Sequence, residues 1–250
     1  MARVIPPPSL QPNGNASAAL NDEALREYRL RSGLGSIYIQ TVIVVTVYTF
    51  LLKFINSSFV QNANLPFDPD FWFARFMELL MVSMAARFIR KGGMSREECG
   101  ITLNNWKTAL FDATWISAIV IGALFALKWT SITYGFDFVG DGQLLSLGYI
   151  DWSFYCYPLF AFFQEFIARG VVQGTVQKLL TGRYANFYAM LITSSVFGVT
   201  HAHSPASITM LAFLSGFLWG PMYAKHKNLL GVTLSHFLIG NFAQLMGFFA

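Results

Sequence analysis

Seven apolar stretches, each about as long as a membrane is thick, constrain this chain more than anything else in it. They run at about 36–59, 71–90, 109–129, 152–177, 186–203, 206–224 and 228–249. Each approximates the roughly 20 residues with which a helix crosses a hydrocarbon core of about 30 Å. Lipid offers exposed backbone no hydrogen bonds, and the alternating pattern of a membrane barrel is missing, so helix is the form these stretches imply. The expected architecture is all-α: a polytopic membrane helical bundle of about seven transmembrane helices over residues 36–250. Composition agrees, since 54% of the 250 residues are hydrophobic and only 12% charged. That balance excludes an ordinary soluble globule.

The first 35 residues are different in kind. Pro6, Pro7 and Pro8 are followed by small polar residues and then by a mixed-charge run from Asp22 to Arg31. Residues 1–35 are expected to form a polar, disordered cytoplasmic tail, with a short surface helix from Asn21 to Arg31 that Asn21 could cap. Threading the seven stretches alternately puts 13 of the 17 Lys and Arg residues on one side. Arg3, Arg26, Arg29 and Arg31 precede the first stretch; Arg87, Arg90, Lys91, Arg96 and Lys107 flank the next loop on that side, followed by Lys178, Arg183, Lys225 and Lys227. Residues 60–70 hold no Lys or Arg, and residues 130–151 carry Asp137, Asp141 and Asp151. The positive-inside rule then places the N-terminus in the cytoplasm. The net charge of +4 is mostly a topology signal, so no nucleic-acid partner is expected; membrane lipids are. The short chain and compact loops favour a bacterial inner (plasma) membrane.

Smaller signals are structural. Two cysteines provide no disulfide framework. Ser95 to Glu98 has capping-box spacing, which predicts a short helix ending at Gly100 before Asn104 or Asn105 opens the third stretch. Gly170 with Gly174 and Gly216 with Gly220 are GxxxG spacings that permit close helix contact.

Charged groups inside the stretches are the informative ones, because each is costly in lipid unless paired or solvated. Candidates are Arg75 and Glu78 in the second stretch, Glu165 and Arg169 in the fourth, and His201, His203 and His236 in the last three. Arg75 lies near a helix end and can reach the interface. Glu165 and Arg169 lie four apart near the centre of their stretch, on one helix face. An ion pair locking two helices would account for them alone, but Gln164, Gln173 and the histidines add polar company that packing does not require. His203 and His226 look like an edge histidine and a loop histidine.

Depth tests whether these groups can meet. With the turn between the fourth and fifth stretches at about Arg183, Glu165 and His201 each lie 18 residues from it, on the same level of two antiparallel helices. His236 lies only 9 residues in from Lys227, roughly 14 Å against roughly 27 Å at 1.5 Å per residue. Either a turn around Ala202 to Pro205 is sunk within the protein, or one helix is strongly tilted.

These residues carry a resemblance. Gln164-Glu165-Phe-Ile-Ala-Arg169-Gly170 resembles EExxxRG, the first motif of the CAAX-processing and bacteriocin-processing (Abi, or CPBP) family of intramembrane proteases. Phe197-Gly-Val-Thr-His201 matches its second motif, FxxxH. The stretch from Phe213 to His236 is similar to its closing helix pair, with its HxxxN motif. The resemblance covers about residues 95–245. Two positions depart from it: Gln164 stands where the family has its first glutamate, and Asn241 comes fifth after His236, with Gly240 fourth, about 100° further round a helix.

The resemblance implies an endopeptidase that hydrolyses a peptide bond in a membrane-associated, lipid-anchored or peptide-precursor substrate by a glutamate-activated water. On that reading Glu165 is the general base beside Arg169, His201 shares the water, and His236, with Asn241 or Gln164, hydrogen-bonds the oxyanion. No cofactor is expected. Zinc is the alternative, because two histidines and a carboxylate are also ligand types of a catalytic zinc site, although HExxH is absent and His201 and His203 cannot share one helix face. Two other function classes stay open: a catalytically impaired relative acting as a membrane scaffold or regulator, and a transporter, for which no paired broken-helix pattern speaks.

Overall fold

The computed structural model describes residues 15–57, 69–135, 142–202 and 206–248, and all regular structure among them is helical. Helix α1 runs from Asn15 to Ile55, α2 from Pro69 to Gly92 and α3 from Trp106 to Tyr134. Then come α4 (Trp152–Glu165), a π-helical segment (Phe166–Gln173), α5 (Gly174–Leu179), α6 (Ala185–Thr200), α7 (Ala206–His226) and α8 (Leu229–Leu245). Two 3₁₀ turns, Glu97–Cys99 and Leu147–Tyr149, lie in the connections. The seven apolar stretches thus coincide with helical segments. Two helices among the described residues, Asp22–Ile55 and Trp106–Tyr134, are long and apolar enough to cross a membrane; Ala185–Thr200 and Leu229–Leu245 are shorter apolar helices.

The expected surface helix at 21–31 lies within α1, which continues without a break into the first apolar stretch. Its residues up to Arg31 are mostly Ala, Leu, Glu and Arg, good helix formers with no proline among them, so nothing in the sequence stops the helix. Residues 1–14, which hold the three prolines of the expected tail, lie outside the described residues.

Helices α1 and α2 pack antiparallel. A Cβ on Gly33 would come within 2.4 Å of the Phe88 ring, and further along Tyr48 stacks on Phe73 at 5.2 Å. The remaining helices form the body around the π segment, with α6 against α7 and α8 against both α3 and α4. Residues 95–109 tie the two groups together. The capping box forms as the spacing predicts: Ser95 N–H donates to Glu98 Oε2 at 2.7 Å, and Glu98 N–H to Ser95 Oγ at 3.1 Å. It supports one 3₁₀ turn rather than a longer helix, closed by Gly100 at φ 77°, where a side chain would be strained. Glu98 Oε1 also accepts from Arg26 of α1 at 2.7 Å and Lys178 of α5 at 2.6 Å.

The same belt holds the body. A Cβ on Gly170 would lie 2.6 Å from the Cys99 carbonyl oxygen, and one on Gly231 2.7 Å from that of Ala109. Leu229 N–H donates to the Gly100 carbonyl at 2.9 Å, and Asn228 Nδ2 to the carbonyls of Thr102 and Asn104. The glycine spacings therefore serve close approach: Gly216 faces Ser194 and Gly220 faces Met190. Cys99 and Cys156 are both free.

Candidate active site

The site is built outward from one buried carboxylate. Helix α4 is capped by Asp151, whose side chain accepts from Phe154 N–H at 3.2 Å, and ends at Glu165, where the chain widens into the π segment. Such widened turns are rare and concentrate at functional sites. Seven of the segment's eight residues are buried, Arg169 among them. Glu165 Oε2 accepts from Arg169 Nε at 3.1 Å, and Glu165 Oε1 lies 2.8 Å from His236 Nδ1 on α8. Both Glu165 and Arg169 are 0% exposed. The two terminal nitrogens of Arg169 are buried without a hydrogen-bond partner among the described residues, and its guanidinium carbon lies 5.7 Å from the centre of the Phe197 ring.

Aromatic side chains fix the His236 ring. Trp219 of α7 stacks on it at 4.1 Å and 20°, while Tyr157 and Phe197 meet it edge-on at 5.8 and 6.0 Å. Trp219 is held in turn, its Nε1–H donating to Ser235 Oγ at 3.1 Å, which also receives the Ser117 hydroxyl at 2.9 Å. In a neutral imidazole, an Nδ1–H donated to the Glu165 carboxylate leaves Nε2 as an acceptor. His201, in the turn after α6, has Nδ1 2.8 Å from the Phe197 carbonyl, so the same argument makes its Nε2 an acceptor too.

His201 and His236 line one cavity of about 360 Å³, together with Tyr157, Phe197, Trp219 and apolar residues of α3, α7 and α8. Glu165 and Arg169 are behind this wall and reach the cavity through His236. Gln164 and Asn241 are not among the lining residues. Gln164 Nε2 donates to Glu78 Oε1 at 3.2 Å, on the far side of α4, where Glu78 also pairs with Arg75 at 3.0 Å. Asn241 Nδ2 donates to the Phe154 carbonyl at 3.1 Å. That carbonyl is the one Pro158 leaves unpaired, since proline has no N–H to give to the residue four back.

Residues 146–242 match the family model described as type II CAAX prenyl endopeptidase Rce1-like. Over that stretch the chain is similar to the Rce1-like family. At the level of the family this implies a CAAX endopeptidase working in a membrane. No curated protein and no solved structure matches the chain. The matched stretch opens just before α4 and closes at the end of the α8 site face, so it contains Gln164, Glu165, Arg169, His201, His236 and Asn241, and leaves α1, α2 and α3 outside.

Several residues of this neighbourhood escape a reading of the sequence. Trp219, Tyr157 and Ser235 are such cases; only the position of Ser235 beside His236 offered a signal. Lys128, the single Lys or Arg in the sequence of the third stretch, is fully buried. Asp112, in the same stretch, receives Lys225 at 2.6 Å and contacts His226 Nε2 at 2.8 Å. His226 is therefore not a loop histidine: it ends α7 and is 5% exposed, drawn inward by a carboxylate of α3. His203 lies outside the described residues. Among the described residues, no three His, Cys, Asp or Glu side chains converge as ligands for a metal ion.

Proposed function

We propose that this chain is an intramembrane endopeptidase that hydrolyses a peptide bond near the end of a membrane-associated or peptide-precursor substrate through a water activated by the Glu165–His236 pair. The observation that carries the reading is the 2.8 Å contact between Glu165 Oε1 and His236 Nδ1 at the wall of the cavity that His201 shares. Polarity supports a lipid setting. Phe111 is 73% and Trp115 63% exposed, whereas Glu165, Arg169 and Lys128 are wholly buried, an inside-out distribution for a protein in water. In this setting all seven helical segments span or enter the membrane, with the N-terminus cytoplasmic. Helix α6, with 16 residues, is about 24 Å long, short of the roughly 30 Å core. That leaves the His201 turn sunk in the membrane, at a level His236 can share.

A water in the cavity donates one hydrogen to Nε2 of each imidazole and turns its lone pair to the scissile carbonyl carbon. As the C–O bond forms, the water's proton passes to His236 Nε2, and the imidazolium is stabilised by Glu165. The C–N bond then breaks and His236 returns that proton to the leaving nitrogen. Arg169 keeps the carboxylate aimed through its Nε–H hydrogen bond. Direct attack by Glu165 on the water would first require one of its oxygens to leave His236 or Arg169. No metal takes part in this scheme.

The test is expression with lipid-anchored and peptide-precursor substrates, comparing the parent with Glu165→Gln and His201→Ala. Cleavage by the parent that is lost in both folded variants is the expected result; cleavage unchanged in Glu165→Gln overturns the mechanism. Stoichiometric zinc in purified protein, with activity lost on chelation and restored by zinc, would replace it with the metal reading.

A further inference from the structure

A second cavity, far from the histidines and outside the matched domain, lies between α1 and α2 and measures about 620 Å³. At one end Arg29 of α1 faces Arg87 and Lys91 of α2, the latter two four apart on one helix face. No carboxylate lines the cavity among the described residues. Among the described residues none of the three cations forms a salt bridge, whereas nearby Arg26 and Lys178 are both paired with Glu98 and Arg31 with Glu27. Three like charges around one space repel unless an anion joins them. Ser32 and Ser36 add hydroxyls along the same face of α1.

The other end is apolar, walled by Ile43, Val44 and Met84. Arg29 and Val44 are 15 residues apart on α1, about 22 Å along its axis. A charged mouth that continues into an apolar groove matches one chemical shape, an anionic head carrying an acyl chain. A free anion would leave the groove unused, and a zwitterionic lipid would leave the cations unmatched. Positive charge also marks this end as the cytoplasmic one, where basic pockets between membrane helices hold anionic headgroups.

We infer that the α1–α2 groove is a binding site for an anionic phospholipid, its phosphate held by Arg29, Arg87 and Lys91 and its acyl chain laid along Ile43, Val44 and Met84. The inference shares with the proposed function only the membrane setting. It needs no proteolysis, so loss of the protease reading would leave it standing.

Thermal unfolding of the full chain in neutral detergent, titrated with dioctanoyl phosphatidylglycerol, dioctanoyl phosphatidylcholine or inorganic phosphate, tests it. Phosphatidylglycerol should raise the unfolding midpoint saturably and the other two should not. Arg29→Gln and Arg87→Gln should each weaken the apparent affinity about fivefold, while Arg90→Gln, on the same turn of α2 but outside the cavity, should leave it unchanged. Equal stabilisation by phosphatidylcholine overturns the proposal, as does saturation by phosphate alone. Equal weakening by Arg90→Gln does so as well, because it would mean diffuse surface charge. Should the variants fail to fold, the three titrations of the parent still decide.

Discussion

Replacing Glu165 by Gln removes a charge and little else, which makes it the sharpest probe of the buried pair. Arg169 is wholly buried, has one side-chain bond to the carboxylate, and leaves both terminal nitrogens without partners among the described residues. Removing the counter-charge strands a guanidinium in low dielectric, a loss of about 3–5 kcal/mol for a pair of this kind. Removing both charges with Glu165→Gln/Arg169→Gln abolishes the stranded cation, and such double replacements are often neutral. The double variant should therefore be within about 2 kcal/mol of the parent, so the coupling energy should be at least about 1–3 kcal/mol plus whatever Arg169→Gln costs alone. Reversible unfolding in mixed detergent and dodecyl sulfate micelles, followed by tryptophan fluorescence, measures each corner of the cycle. The same samples report on chemistry: the double variant should be folded and inactive, which separates loss of catalysis from loss of structure. A single-variant cost below about 1 kcal/mol, or a double-variant cost equal to the sum of the singles, would refute the claim that Arg169 depends on Glu165.

Asn241→Leu should cost about 1–3 kcal/mol by orphaning the Phe154 carbonyl, and most of that should disappear in a Pro158→Ala background, where the helix supplies its own N–H; an equal cost in both backgrounds, by the same unfolding assay, would dismiss this role. Gln164→Glu should not raise cleavage and should lower stability, because the new carboxylate would face Glu78 across the present 3.2 Å hydrogen bond; a gain in cleavage would mean that Gln164 faces substrate after all. Glu98 is partly buried, which works against its charge, but hydrogen bonds from Lys178, the Ser95 N–H and Arg26 prevail and hold its pKa down at about 2. Its contribution is thus complete above the ordinary carboxyl value of 4.5 and is lost as pH falls from there towards about 2. Unfolding midpoints across that window should show the loss in the parent and not in Glu98→Gln.

Much of the site was legible because charge is scarce. Glu165 and Arg169 pair as their spacing in the sequence suggests, and the mismatch in depth of His236 left two alternatives, a turn around Ala202 to Pro205 sunk within the protein or a strongly tilted helix. What stayed hidden has physical reasons. A π segment changes the rotation per residue, so a periodicity that assumes regular helix cannot find it. Gln164 is adjacent to Glu165, and neighbours on a helix point about 100° apart; the side that faces the cavity depends on where α2 and α8 pack. Asn241 belongs to a proline 83 positions earlier, a link that only the packing of α8 on α4 reveals. Asp112 and His226 look unremarkable apart, because each end of that pair is ordinary for its own helix.

The belt at residues 95–109 separates what is inherited from what folds. The recognisable Rce1-like stretch begins at 146, yet the surface its π segment rests on is the Cys99 carbonyl, and the start of α8 is tied to Gly100, Thr102 and Asn104. The cooperative unit is therefore larger than the recognisable one, and residues 146–242 expressed alone would lack the partners of both site-bearing segments. Changes at Cys99, Gly100 or Ala109, none of which touches the cavity, would then register as loss of function transmitted through register: a small slide of the belt moves Glu165 and His236 on separate helices, and a contact of 2.8 Å has little tolerance for that.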